Sequence, residues 1–78
     1  MPNKIFNWTF NDVVRKLKEN GFSLINTEGS HYFYGGQYGG QYRQVCVPFH
    51  GAKIFKPRTM KGIIKQSGIL QEGWFTKR

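Results

Sequence analysis

Two histidines are the side chains of this chain best suited to proton transfer. His31 follows Gly29-Ser30 in a segment that favours a strand, and His50 follows Val47-Pro48-Phe49. The unperturbed pKa of histidine, about 6.5, lets it give or take a proton near neutral pH. Next to cations and an RNA backbone, one histidine can deprotonate a 2′-hydroxyl for attack on the adjacent phosphate, or protonate the departing 5′-oxygen, without a metal. A lone histidine in a strand is more often structural than catalytic. We therefore treat His31 as the first catalytic candidate and His50 as the second on the condition that their surroundings support this chemistry.

Other site chemistries have little material in this chain. The four carboxylates are Asp12, Glu19, Glu28 and Glu72, and none is closely paired in sequence, which disfavours a two-carboxylate mechanism. Neither histidine has a partner ligand at helical spacing, so we predict no metal site and no cofactor. Cys46 lies between two valines, which is typical of a packed thiol rather than a nucleophile.

The charge of the chain points to a polyanionic partner. Lys and Arg number 12 against 4 Asp and Glu, a formal net charge of +8 on 9.1 kDa. No apolar run approaches the roughly 20 residues of a membrane span. A membrane-surface partner is disfavoured, because the helix face opposite the cations is needed for the core and leaves no apolar face to insert. A single cysteine excludes an internal disulfide, so a cytoplasmic setting is the simplest interpretation. Residues 29–71 contain no acid, and their cations are Arg43, Lys53, Lys56, Arg58, Lys61 and Lys65.

Seventy-eight residues accommodate a single domain, 1–78, with a core from about 9 to 75. Apolar residues at helical spacing predict a first helix from Thr9 to Asn20, with Asp12 completing a capping box. Strands are predicted at 22–28, 30–34 and 43–48.

A second helix is predicted from Pro57 to about Ser67, ended by Gly68. Its apolar stripe of Met60, Ile63 and Ile64 projects opposite three cations, Arg58, Lys61 and Lys65, which we call the cationic ridge. After it, we expect one short turn to dock on the core through Ile69, Leu70, Trp74 and Phe75.

The segment between the second and third strands is a tandem Gly-Gly-Gln-Tyr repeat over residues 35–42. Four glycines within residues 35–40 hold a strand poorly, so we expect a long, mobile hairpin loop. Tight closure of that loop around residues 37–40 would place His31 near Cys46, and His50 roughly 13 Å further along the third strand. A larger unpaired loop would bring the two histidines closer together.

Alternation along the second strand puts His31 and Phe33 on the same face of the sheet. If His31 reaches a substrate, Phe33 lies near the solvent side, and Tyr32 and Tyr34 turn toward the helices. The other possibility is that Phe33 belongs to the core and His31 is merely a residue at the strand end.

These elements predict an α+β fold in two layers, with two helices on one face of a three-stranded antiparallel sheet in the order α-β-β-β-α. The order of the helices and strands, together with the charge, indicates a small RNA-binding α+β domain.

Four segments, in this order, carry a resemblance to a known family. They are Asn20-Gly21-Phe22, Gly29-Ser30-His31, Val45-Cys46-Val47-Pro48-Phe49-His50 and the run from Lys56-Pro57-Arg58 to Lys65-Gln66-Ser67-Gly68-Ile69. With them the chain resembles the HicA toxin family over roughly Thr9 to Phe75. The longer glycine-rich insert and the extension 1–8 depart from the common pattern, and their roles stay open.

The resemblance implies a fold like a double-stranded-RNA-binding domain and a ribosome-independent mRNA interferase of a toxin–antitoxin module. It implies His31 as the catalytic histidine and a HicB-type antitoxin that holds the chain inactive. We expect the chain to be a monomer when free. The RNA-binding residues we predict are Ser30, Arg43, Lys53, Lys56, Arg58, Lys61 and Lys65.

A non-catalytic module that binds double-stranded RNA is the alternative. Such domains read A-form geometry through 2′-hydroxyl and phosphate contacts, for which the cationic ridge is equally suited. His31 discriminates the two, because plain binding has no particular use for a histidine.

Overall fold

The computed structural model describes residues 7–49, 51 and 53–74. His50, Phe75 and residues 1–6 of the N-terminal extension lie outside these ranges. The elements are α1 (Phe10–Glu19), β1 (Ser23–Glu28), β2 (His31–Tyr38), β3 (Gln41–Pro48), α2 (Pro57–Ser67) and a 3₁₀ helix (Gln71–Trp74). The predicted α+β class and the α-β-β-β-α order are confirmed.

The three strands form one antiparallel sheet in the order β1-β2-β3, and both helices pack on the same face of it. On that face Tyr34 pairs with Val45 and Tyr32 with Val47, and these residues join the apolar stripes of the two helices. We call this the helix face, and the opposite side of the sheet the open face. None of the described helices is long and apolar enough to cross a membrane.

Local signals set the helix ends where the sequence predicts them. Thr9 caps α1 through a complete capping box, since its N–H donates to the Asp12 carboxylate at 3.0 Å and its hydroxyl accepts from the Asp12 N–H at 3.4 Å. Pro57 begins α2, and Gly68 ends it with a left-handed φ of 76°.

The expectation of a long mobile loop at residues 35–40 is wrong. Gly35 and Gly36 continue β2, and only Gly39 and Gly40 form the turn, with φ of 64° and 81°. A two-residue hairpin needs such positive angles. Gly35 and Gly36 are required by close packing. A Cβ on Gly36 would lie 2.7 Å from the Gly21 carbonyl oxygen, and a Cβ on Gly35 would overlap the Tyr42 side chain. Glycine serves here as a residue that neighbouring backbone can approach closely.

The predicted register is wrong by two residues, because the turn lies nearer the C-terminal end of the repeat than expected. His31 pairs with Pro48, rather than lying near Cys46, and Phe33 pairs with Cys46. His50 therefore follows the partner of His31 by two positions in sequence, not four.

The first and last parts of the chain that the structure describes meet in the core. Trp8, within the N-terminal extension, is fully buried and its indole Nε1 donates to the Trp74 carbonyl at 3.0 Å. The two rings are 5.1 Å apart, edge to face. The expected docking of the tail is confirmed for Ile69 and Trp74 but wrong for Leu70, which is 73% exposed.

Candidate functional site

His31 is the first residue of β2 and its side chain is exposed. The turn before it consists of Gly29, with φ of 60°, and Ser30, which is also exposed. Glu28 on β1 and Pro48 on β3 are its cross-strand neighbours. The imidazole thus stands at one end of the sheet, where it is open to solvent.

The alternation predicted along β2 is confirmed. Tyr34 is buried in the core, and the Tyr32 ring meets Phe10 of α1 edge to face at 5.1 Å. Phe33 is half-buried and belongs to the open face with His31, not to the core beneath the helices.

The chain leaving β3 stays close to the His31 turn. The N–H of Phe49 donates to the Ser30 carbonyl at 2.7 Å, and the Phe49 ring meets Phe10 edge to face at 4.9 Å. His50 comes next and lies outside the described residues, so its catalytic role stays a prediction.

Lys53 and Lys56 are exposed on the segment that leads into α2. Together with Ile54, Phe55 and Thr59, they line a surface cavity of about 360 Å³.

This segment is tied to the chain entering α1. Phe55 donates its N–H to the Trp8 carbonyl at 2.8 Å, and Ile54 pairs with Thr9. Phe10 follows Thr9 in sequence, and its ring packs on Tyr32, the residue next to His31. Both lysines therefore lie at the same end of the fold as His31.

The cationic ridge is exposed as predicted, opposite the buried Met60 and Ile63. Arg58 lies in the first turn of α2 and Lys65 in its last. At 1.5 Å per residue, Lys65 is roughly 10 Å further along the helix axis than Arg58. The ridge thus starts near the His31 end and runs toward the other.

Arg43 occupies a different position from the other predicted phosphate ligands. It is half-buried, and its Nε donates to the Tyr38 carbonyl at 2.9 Å. The guanidinium lies against Gly68 at the end of α2, where a Cβ would overlap it. Its strand partner is Gly36, five residues from His31, a separation of roughly 17 Å. Arg43 joins the hairpin to α2, and its predicted role as an RNA ligand stays a prediction.

Cys46 is half-buried on the open face, and its N–H donates to the Gln66 side chain at 2.9 Å. Burial, and secondarily the Glu28 carboxylate, raise the pKa of the thiol above its ordinary value. A raised pKa keeps the sulfur protonated near neutral pH, which disfavours nucleophilic chemistry. Within the part of the chain that the structure describes, no three His, Cys, Asp or Glu side chains come together as a metal site would need.

Sequence reasoning did not identify Tyr42 as part of the His31 face. Tyr42 is 54% exposed, and its ring lies across Gly35, where a Cβ would overlap the Tyr42 hydroxyl. Alternation along β3 would have placed it on the open face, had the turn been assigned to Gly39-Gly40.

The comparisons with known proteins agree with the resemblance seen in the sequence. A family model described as HicA toxin of bacterial toxin–antitoxin matches residues 10–69, which hold both helices, the whole sheet and His31. No curated protein matches the chain.

Proposed function

Since the chain belongs to the HicA toxin family of bacterial toxin–antitoxin systems, we propose that it is a ribosome-independent endoribonuclease that cleaves mRNA without a metal. The observation that supports this proposal most is the exposed position of His31 at the end of the sheet, the same end of the fold as Lys53 and Lys56. We place its action in the cytoplasm, with the chain a monomer when free.

His31 supplies proton transfer in this mechanism. As a base, the neutral imidazole takes the proton of a 2′-hydroxyl, and the 2′-oxygen attacks the adjacent phosphorus while the bond to the 5′-oxygen breaks. The products are a 2′,3′-cyclic phosphate and a 5′-hydroxyl, whose proton comes from an acid on the far side of the phosphorus. Alternatively His31 is that acid, and a second group takes the 2′-proton. His50 is the candidate for the second group.

Cations hold the RNA and stabilise the charge that grows on the phosphate. Lys53, Lys56 and Arg58 lie toward the His31 end, so we assign them to phosphates near the cleaved bond. Lys61 and Lys65 would hold phosphates further away along α2. Ser30 is beside His31, and its exposed hydroxyl is available to a phosphate oxygen.

A HicB-type antitoxin is the protein partner we propose, since a free ribonuclease would damage its own cell. An acidic surface that covers His31, Lys53 and Lys56 would block RNA and gain from the net charge of +8. Reversing Lys56 to Glu should then weaken both RNA binding and antitoxin association. Loss of RNA binding with native antitoxin affinity would mean that the antitoxin docks elsewhere.

Cleavage of RNA in EDTA tests the nuclease against the double-stranded-RNA-binding alternative. We expect purified protein to cut a long unstructured RNA and to leave 2′,3′-cyclic phosphate ends. Tight binding of an RNA duplex, with the duplex and the unstructured RNA both intact after hours, would contradict the nuclease and support the binding module.

A further inference from the structure

The open face of the sheet carries two aromatic rings in line with His31. Phe33 is the next residue of β2 on that face, and the one after it is Gly35, across which Tyr42 lies. Steps of two residues along a strand are roughly 6.6 Å, so the rings follow the histidine at short, regular intervals.

The glycine-rich repeat builds this arrangement. Its two copies pair with each other across the turn, Gln37 with Tyr42 and Tyr38 with Gln41. Consequently the two repeat tyrosines point to opposite faces. Tyr38 packs against the core beside Phe22, whereas Tyr42 is left on the open face. Without a side chain at Gly35, the Tyr42 ring can lie flat on the sheet.

Side chains that can hydrogen-bond to base edges flank the rings. Asn26 pairs with Phe33 and Gln44 with Gly35, so both amides share the open face, and both are exposed. Ile25 adds an apolar contact, since its Cδ1 lies beside Gly35 and the residue is 45% exposed.

Charge decides which form of RNA this face fits. Arg43 is the one Lys or Arg within the three strands, and it lies against the end of α2, not on the open face. Recognition of a duplex depends on phosphate and 2′-hydroxyl contacts, for which this face offers no cation on its strands. Aromatic rings stack on bases, and only unpaired bases expose their faces to them.

We propose that Phe33 and Tyr42 form a stacking platform for unpaired bases of the RNA, beside the cleaved phosphate. The inference rests on the proposed function, since His31 sets where the strand must pass. The cations of α2 and of the segment before it bind the backbone, and the open face holds the bases.

Binding measurements in an inactive background test the platform. The chain with His31→Ala is titrated into fluorescently labelled oligo(A), oligo(U) and a duplex of equal length, and anisotropy is recorded. Adding Tyr42→Leu or Phe33→Leu should weaken single-strand binding by roughly 5- to 150-fold, the effect of losing one stacked base. Duplex binding should stay as it is.

Two control variants separate stacking from other effects. Tyr42→Phe keeps the ring and should keep the affinity, and Leu70→Ser removes an exposed apolar group from another region. Circular dichroism of each variant confirms the fold before binding is compared.

Native single-strand affinity in both leucine variants would overturn the proposal, as would an equal loss on the duplex. Native RNA affinity with lost binding of a co-expressed HicB-type antitoxin would overturn it too, by making this a protein-docking face. Cleavage is scored separately with His31 intact. Ring-dependent RNA binding without any cleavage would refute the nuclease and leave the platform standing. Cleavage at the native rate by both leucine variants would refute the platform and leave the nuclease standing.

Discussion

The Arg43 guanidinium lies directly against Gly68, and so connects the β2–β3 hairpin to the end of α2. Its Nε donates to the Tyr38 carbonyl within the hairpin, and a Cβ at Gly68 would overlap the guanidinium. Gly68 also has a φ of 76°, which other residues adopt only at a cost. One glycine therefore meets two requirements, a left-handed helix cap and room for an arginine.

Replacing Gly68 by Ala should lower the free energy of unfolding by about 2 kcal/mol, through backbone strain and displacement of Arg43. Urea unfolding at neutral pH measures the change. Gly62 is the matched control, because it lies within α2 and a Cβ there meets no atom within 4 Å. Gly62→Ala should instead stabilise by about 0.5–1 kcal/mol, through higher helix propensity. Equal effects of the two substitutions would contradict the role assigned to Gly68.

Lys56 precedes α2 and Lys65 lies in its last turn, and these positions should separate the functions of the two exposed lysines. Lys56→Gln and Lys65→Gln should each reduce the magnitude of the slope of log affinity for RNA against log salt concentration by about one, the contribution of one phosphate contact. Only Lys56 is at the His31 end, so Lys56→Gln should also lower the cleavage rate at saturating RNA, by about tenfold. Single-turnover cleavage and salt-dependent binding provide both quantities. If the two variants cleaved at the same rate, the assignment of Lys56 to the reacting phosphate would be wrong.

The raised pKa of Cys46 predicts that its thiol reacts slowly with alkylating reagents. Alkylation of the folded chain by iodoacetamide should require a higher pH than alkylation in urea, because the thiolate is the reactive form. Glu28→Gln removes the secondary cause of the shift and should move the folded profile to lower pH. Because the folded pKa is above the unfolded one, the thiol stabilises the fold below its unfolded pKa. That contribution is lost as the pH rises through the folded pKa. Faster alkylation in the folded state at pH 7 would contradict this environment.

Features governed by neighbours in sequence were predictable from the sequence. The bounds of α2 agree because Pro57 and Gly68 act locally, and the first helix agrees through its capping box. Strand alternation places Tyr32 and Phe33 on opposite faces, and the structure decides that Tyr32 is the one that packs against the core.

Features that depend on distant contacts were not predictable. Gly36 pairs with Arg43 in the sheet and must lack a side chain because Gly21 lies against it, and no local signal in the sequence indicates that contact. The turn position then set the register, and with it the cross-strand neighbours of His31 and the inclusion of Tyr42 in β3. The placement of Arg43 likewise depends on the end of α2, which is 25 residues further along the sequence.

The most direct test of the account is single-turnover cleavage of one labelled RNA, in EDTA, by native protein, His31→Gln and His50→Gln. Glutamine keeps hydrogen-bonding capacity but cannot exchange a proton near neutral pH. We expect His31→Gln to lose roughly 10²-fold or more in rate while it binds RNA with near-native affinity, as removal of an acid or base does. A comparable loss in His50→Gln would make the two histidines an acid–base pair. Native cleavage by His31→Gln would contradict the central claim that proton transfer at the start of β2 cuts the RNA.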